Sequence, residues 1–265
     1  MPELPEVETV VRSIAPLVGR RVVTAEFRCR RVLRGADPLV MAARLRGRRI
    51  AGVRRYGKFI LVSIQGGGYL VIHLGMTGRL LLGGPVGKHT HAILTLDRGG
   101  VLLYDDSRQF GSLQYSREFP QRVRKLGPEP LEVPFEEFAE ALGRRKTRIK
   151  ALLLNQGFLR GVGNIYADEA LFRAGIHPLA IASRVRGDRA RRLHRAITEV
   201  LTEAIAAGGS SISDYVDAQG RKGFFQFSHR VYQRTGEPCV TCGAPIRRVV
   251  VTQRSSHYCP KCQKR

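Results

Sequence analysis

Residues 92–104 read Ala92-Ile93-Leu94-Thr95-Leu96-Asp97-Arg98-Gly99-Gly100-Val101-Leu102-Leu103-Tyr104. Two apolar runs of strand length flank a polar four-residue break, and its two glycines supply the left-handed backbone that a tight reversal needs. The stretch therefore predicts a β-hairpin. The pattern repeats on its N-terminal side. Lys58 to Ile64 reads as one strand and Gly68 to Leu74 as another, and short apolar runs broken by glycine extend from Val22 to Leu113. Such an array points to a β-sandwich or barrel. Ahead of it, Val7, Val10, Val11, Ile14 and Leu17 recur at helical spacing, with Pro5 suited to a first turn. Glu6 and Glu8 lie where a helix dipole favours negative charge.

Beyond residue 113 the character changes. Pro120 to Pro134 holds four prolines and little apolar periodicity, which predicts a linker over 120–134. Helices are predicted over 135–142, 147–154 and 164–174, the last two separated by the turn Gly157 to Gly163. The longest spans 188–207, with Leu193, Ile197, Val200, Leu201, Ala204 and Ile205 on one face and Asp188 as its cap. The fold class is thus α+β in two domains. A β domain with its N-terminal helix covers 1–119, a helical domain 135–225, and a cysteine-bearing tail 226–265.

The chain carries 45 Lys+Arg against 22 Asp+Glu, a net charge of +23. Surface ion-pair networks, as in heat-adapted proteins, need balanced acids. This excess instead calls for a polyanionic partner, and nucleic acid is the first candidate. The basic residues are dispersed, with clusters at Arg44 to Arg49, Arg144 to Lys150 and Arg184 to Arg195, so they clothe a folded surface. The apolar runs are strand-sized, far below the roughly 20 residues that span a bilayer. With no basic-then-apolar leader, a soluble cytosolic protein is expected.

Four of the five cysteines form Cys239-x2-Cys242-x16-Cys259-x2-Cys262. Each CxxC can supply one knuckle of a tetrahedral four-thiolate zinc site, here folding a hairpin too small for its own core. Two disulfides or free thiols are the alternatives, the disulfides disfavoured in a reducing cytosol. Arg254 sits near the expected fingertip. Cys29 stands alone and reads as a small buried residue.

The terminus, MPELPEVETV at 1–10, crowds two prolines and three glutamates together. A rigid helix entry explains them. So does chemistry: with Met1 removed, Pro2 becomes a secondary amine that forms an iminium directly with an aldehyde-level carbon. Glu3 and Glu6 then offer carboxylates for proton transfer on the same short arc.

PELPEVETV, DDSRQFG at 105–111, QGFLRGVGNIYADEALF at 156–172 and the GEPCVTCG…HYCPKCQ tail together resemble formamidopyrimidine-DNA glycosylase, in the family's order and over essentially the whole chain. The resemblance implies an N-terminal β-sandwich carrying the terminal helix, and a helical domain with a helix–two-turn–helix and a zinc-ribbon hairpin finger. It also implies DNA in the cleft between them and an extruded lesion, because a stacked base cannot be reached at its glycosidic carbon. The implied activity is bifunctional. The enzyme excises 8-oxoguanine and formamidopyrimidines, then cleaves the strand at the abasic site by β,δ-elimination, as a monomer, in the cytoplasm at the nucleoid, with one structural zinc.

Carried over residue by residue, Pro2 attacks C1′, Glu3 assists ring opening, Glu6 supports the lesion pocket and Lys58 stands beside the lesion. Met76, Arg108 and Phe110 fill the void left by the extruded nucleotide, the arginine hydrogen-bonding the widowed cytosine. His73, Asn164, Tyr232 and Arg254 contact the DNA backbone. Asn164 follows Gly161-Val162-Gly163 at a helix start, an anion-binding arrangement that also suits a plain cap. Ser210 to Phe225 matches the loop that closes over the purine. Three departures stand out: the family more often has glycine where Gln233 stands, commonly Gly-Arg where this chain has Gln253-Arg254, and usually Asp-Pro-Arg-Arg-Phe-Gly at the 105–111 loop. Two other readings remain open, an endonuclease VIII-like enzyme for oxidised pyrimidines and a non-catalytic zinc-ribbon nucleic-acid binder.

Overall fold

The computed structural model describes residues 1–212 and 214–265. Helix α1 (Leu4–Ile14) comes first, its buried stripe made of Val7, Val10, Val11 and Ile14. Strands β1 (Val22–Phe27), β2 (Ile50–Tyr56), β3 (Phe59–Ile64), β4 (Tyr69–His73), β5 (Arg79–Leu82), β6 (Thr90–Leu96), β7 (Val101–Asp105) and β8 (Ser112–Ser116) follow. Helix α2 (Pro38–Leu45) lies between β1 and β2, its first turn capped by the Asp37 carboxylate. All the strand pairs in this region are antiparallel, and they form two four-stranded sheets, ordered β1-β6-β7-β5 and β2-β3-β4-β8. Both sheets feed one core: Ile60, Val62, Leu70 and Ile72 from one, Leu94, Leu96, Leu102 and Tyr104 from the other, with the apolar stripe of α1. Half-buried Cys29 packs against it.

The 92–104 hairpin forms as its sequence predicts. Leu94 pairs with Leu102 and Thr95 with Val101. Arg98, Gly99 and Gly100 all adopt positive φ, and the Leu96 N–H donates to the Gly100 carbonyl at 3.0 Å. Across the tighter β2–β3 reversal, Tyr56 pairs with Phe59, so Gly57 and Lys58 alone make the turn, with Gly57 at φ 59.

The chain divides into two compact units: Met1–Lys125 with Ala207–Phe224, and Leu126–Ala206 with Phe225–Arg265. The proline-rich 120–134 stretch contains a short helix, α3 (Gln121–Arg124), just before this division. The segment 207–224, adjacent in sequence to the longest helix, belongs to the β unit for a physical reason. Tyr215 and Ala218 join the sandwich core. The Ala218 N–H donates to Ser13 Oγ at 3.1 Å, and its carbonyl accepts from the Leu82 N–H at 2.7 Å. The Phe224 N–H donates to the Ala207 carbonyl at 2.9 Å and closes the neck of the loop. Of the expected loop 210–225, Ser213 lies outside the described residues. Gly223 is less a hinge than a close-packing residue, since a Cβ there would stand 2.2 Å from the Gly209 carbonyl oxygen.

The second unit holds α4 (Phe135–Gly143), α5 (Ile149–Leu154), α6 (Asn164–Arg173) and α7 (Asp188–Ala206). Asp188 is the first helical residue of α7 and not a cap outside it. Gln156 organises the double turn between α5 and α6. Its amide donates to the carbonyls of Leu154 (3.1 Å) and Val162 (2.8 Å), and its oxygen accepts from the Gly161 N–H at 2.8 Å. A hairpin of β9 (Arg247–Val251) and β10 (Arg254–Tyr258) ends the unit.

Two adjacent acids of α6 bind this unit together. Fully buried Asp168 accepts from the Lys150 ammonium of α5, and from the His257 backbone N–H (3.0 Å) and ring Nδ1 (3.1 Å) of β10. Glu169 accepts the backbone N–H groups of Arg230, Val231 and Tyr232 at 2.8–3.0 Å. Its burial pushes the carboxyl above the ordinary range while those three N–H groups pull it down. Removing one partner of a buried pair strands the other charge, at about 3–5 kcal/mol. We expect Asp168→Ala to lower the free energy of unfolding measured in urea by that amount, and a joint Lys150→Met/Asp168→Leu replacement to recover much of it.

Candidate functional site

At the start of α1, Glu3 is the N-cap and forms a reciprocal capping box with Glu6. Each carboxylate takes an amide hydrogen that the first turn leaves without a helical acceptor. Glu6 accepts the Glu3 N–H at 2.8 Å and, from the far end of the sequence, the Ser210 N–H at 2.7 Å. Tyr215 Oη adds a bond to the Glu6 carbonyl at 3.3 Å and to the Gly208 carbonyl at 3.1 Å. Gly209 is required here twice over: it sits at φ +82, and a Cβ would lie 2.8 Å from Glu6 Oε1. Pro2 is buried immediately outside the cap, behind a Met1 that is 49% exposed. The cap thus sets an imino acid and two carboxylates on one rigid arc.

Lys58, in the β2–β3 turn, is buried. His73, on β4, pairs in register with Phe59, the residue after Lys58. Burial lowers the His73 pKa to about 4, helped by the charges of Lys58, Arg122 and Arg34. Its Nδ1 accepts the Gly75 N–H at 3.1 Å, so the neutral ring carries its proton on Nε2. Such a ring can donate to an anion without being charged.

Met76 and Phe110 are exposed, at 42% and 44%, against the trend of the apolar side chains. Their two loops meet backbone to backbone. A Cβ on Gly75 would fall 2.5 Å from the Phe110 carbonyl carbon, and one on Gly111 would fall 2.7 Å from the His73 oxygen. Buried Asp106, unremarked in the sequence, ties the loops: it accepts from Thr77 Oγ1 (2.5 Å), Tyr104 Oη (3.2 Å) and the Gly111 N–H (2.8 Å). Thr77 Oγ1 in turn accepts the Arg108 N–H at 3.2 Å. The Arg108 guanidinium stacks 4.6 Å from the Phe110 ring centre. Met76, Arg108 and Phe110 thereby share one rigid double loop.

In the second unit, three expected residues converge on β10. Asn164 is the first residue of α6, following Gly163 at the cap, and its amide donates to the Ser255 carbonyl at 3.0 Å. Ser255 adjoins Arg254, which opens β10 and is exposed. The Tyr232 ring stands edge-on to His257, 5.2 Å between centres. The fingertip turn consists of Thr252 and Gln253, both at positive φ, without a glycine. Gln233 also lies at positive φ (60°), the conformation that favours glycine.

The four thiols of Cys239, Cys242, Cys259 and Cys262 lie within 4.8 Å of one another. The Cys239–Cys262 and Cys242–Cys259 sulfurs are 3.9 and 3.4 Å apart. Tetrahedral zinc with bonds of about 2.3 Å sets its sulfurs about 3.8 Å apart, so the donor set fits one such ion.

Three family models match the chain in order: the formamidopyrimidine-DNA glycosylase N-terminal domain over residues 1–113, its H2TH domain over 126–216, and the zinc finger found in FPG and IleRS over 236–265. A relative from Solibacter usitatus named formamidopyrimidine-DNA glycosylase is 75% identical over the full length of both chains. The chain belongs to the formamidopyrimidine-DNA glycosylase family. The solved MutM (FPG) protein of Thermus thermophilus superposes with TM-score 0.89 at 45% identity, covering 99% of this chain and 98% of that one. A Lactococcus lactis FPG variant in complex with Fapy-dG-containing DNA gives 0.92 at 36% identity over the whole of both chains. Among the described residues, no helix is long and apolar enough to cross a membrane.

Burial also lowers the His229 pKa to about 4. Folded pKa values near 4 against an ordinary 6.5 mean that the unfolded chain binds more protons between those limits. Stability held in full above pH 6.5 is therefore lost as pH falls toward 4, on the order of 2–3 kcal/mol per ring. Urea unfolding across this window should show the loss, with His73→Gln reducing it. Cys242→Ser should abolish stoichiometric zinc retention and the amide hydrogen-exchange protection of β9 and β10.

Proposed function

We propose that this chain is a bifunctional DNA glycosylase and AP lyase that removes oxidised purines, 8-oxoguanine and formamidopyrimidines, from double-stranded DNA. The end-to-end family match, with a 75% identical relative, carries this reading. It acts as a monomer in the cytoplasm, at the nucleoid. Residues 1–119 hold the chemistry, 120–134 link, 135–225 bind DNA and close on the lesion, and 226–265 form the finger.

Once Met1 is removed, the Pro2 nitrogen attacks C1′ of the extruded nucleotide. The glycosidic bond breaks, and the base leaves with the proton that the Pro2 nitrogen gives up. Glu3, in its carboxylic acid form, protonates O4′, the sugar ring opens, and the nitrogen lone pair completes a C1′ iminium. The cation draws electrons from C2′, so loss of a C2′ proton expels the 3′-phosphate, and a second elimination expels the 5′-phosphate. Water then releases the amine. A secondary amine suits both stages because its iminium needs no further proton loss to form. Glu6 holds Glu3 and the 207–224 loop in register beside the lesion, and Lys58 supplies charge to the adjoining phosphate. Neutral His73, Asn164, Tyr232 and Arg254 contact the backbone, while Met76, Arg108 and Phe110 occupy the gap. Zinc, held by the four cysteines, supplies structure only.

Borohydride should reduce the iminium and trap a covalent adduct with abasic-site DNA, mapped by peptide mass to Pro2. An uncleaved N-terminal extension should abolish the adduct. Trapping at any other residue would overturn the mechanism, and a panel pairing oxidised purines with oxidised pyrimidines would reassign the substrate if pyrimidines were nicked faster.

A further inference from the structure

The arginine cluster at 184–195 has no place in the chemistry above, and the structure gathers it with other cations at the far end of α6. A cleft of about 630 Å³ is lined by Arg173, Arg189, Arg192, Arg230, Lys264 and Arg265. A second, of about 400 Å³, is lined by Arg191, Arg192 and Arg195 with Phe135, His194 and Asp188. Arg192 lines both, so the two clefts adjoin at the N-terminal half of α7 and make one basic track. Asn164 and Arg173 are opposite ends of α6, roughly 13 Å apart at 1.5 Å per residue. The Arg173 wall of the first cleft therefore lies at the opposite end of α6 from Asn164.

Several features show a prepared surface. Arg173 is held by paired bonds to Glu203, 2.6 and 2.7 Å, and approaches Glu199 at 3.6 Å, so it serves as a fixed wall and engages the nearest acids. Arg189 donates to the Lys264 carbonyl at 3.1 Å, which ties α7 to the last residues. The Arg191 guanidinium carbon lies over the Phe135 ring, 4.2 Å from its centre. Arg192, Arg230, Lys264 and Arg265 remain exposed. Among the described residues, Asp188 is the one acid lining either cleft.

We propose that this track binds the phosphodiester backbone of a second segment of duplex DNA, separate from the one that carries the lesion. Arginine is the residue suited to phosphate, its planar fork donating two hydrogen bonds at once. An elongated track formed by two adjoining clefts fits a linear polyanion better than a single ion. A protein partner would need a buried apolar anchor, and the large apolar side chains here, Phe172 and Phe135, lie in the core or beneath Arg191. The choice of duplex DNA as occupant rests on the reading of the chain as a DNA enzyme. Its effect would be to keep the enzyme on DNA, or pass it between segments, while the lesion site is engaged.

The test uses the full-length zinc-bound protein with its lesion site saturated by a short abasic-analogue duplex. A labelled, undamaged short duplex is then titrated at several salt concentrations. The wild type should form a ternary complex. Arg192→Ser/Arg230→Ser should lose it, or show a log–log salt slope smaller by about 2, near one unit per lost phosphate contact. Arg192→Lys/Arg230→Lys should retain most of it, and both variants should nick lesion duplex at the wild-type single-turnover rate. No ternary complex in the wild type, or an unchanged slope in a folded serine variant, overturns the proposal. So does saturation by inorganic tripolyphosphate without capture of duplex. Failure of the wild type to nick, with the ternary complex behaving as stated, would sink the glycosylase reading and leave this one standing.

Discussion

One buried carboxylate, that of Glu6, links the two ends of the β unit. It satisfies the first turn of α1 and, with the same two oxygens, receives a chain segment 204 residues downstream. An isolated buried carboxylate is costly, so the Glu3 and Ser210 N–H groups cannot be given up separately. Wherever the terminal arc stands, the neck of the 207–224 loop stands with it. The two adjacent glycines at 208 and 209 let the backbone come that close.

In the second unit, α6 plays the comparable part. Its N-terminal residue bonds to β10, its Asp168 to α5 and β10, and its Glu169 to the backbone of residues 230–232, ahead of the first cysteine. The finger is thus attached by hydrogen bonds at several points as well as by the chain itself. This explains how a hairpin whose own apolar core is small can present Arg254 and Asn164 in a fixed relation. The zinc site and the α6 acids stabilise the same object from opposite ends.

Much of this was legible in the sequence, and the parts that were not share a cause. The 92–104 hairpin, the α6 and α7 boundaries to within a residue or so, and the four-thiol cluster all depend on local chemistry or fixed spacing. The membership of 207–224 was hidden because it depends on Tyr215 and Ala218 finding a core assembled some hundred or more residues earlier. Asp106 and Gln156 were hidden for a related reason. A carboxylate or amide that bonds several backbone groups across two loops looks, in one dimension, like any polar residue in a turn. The departures at Gln233 and Gln253 were visible but unexplained. Their left-handed backbones supply the explanation: these are positions where glycine costs nothing and glutamine is strained.

The burial of the four cysteines has a consequence for damage to the protein itself. Cys239 and Cys259 are buried, Cys262 is half-buried and Cys242 is exposed. Conditions that oxidise purines also oxidise thiolates, and susceptibility rises with the exposure of the cysteine. A single oxidised ligand leaves three for a metal that needs four, and the loss is felt along β10 at Ser255 and His257, hence at both ends of the ties to α6. Of the four ligands Cys242 is thus the most open to an oxidant, and the structural cost of losing it falls on the finger and on its ties to α6.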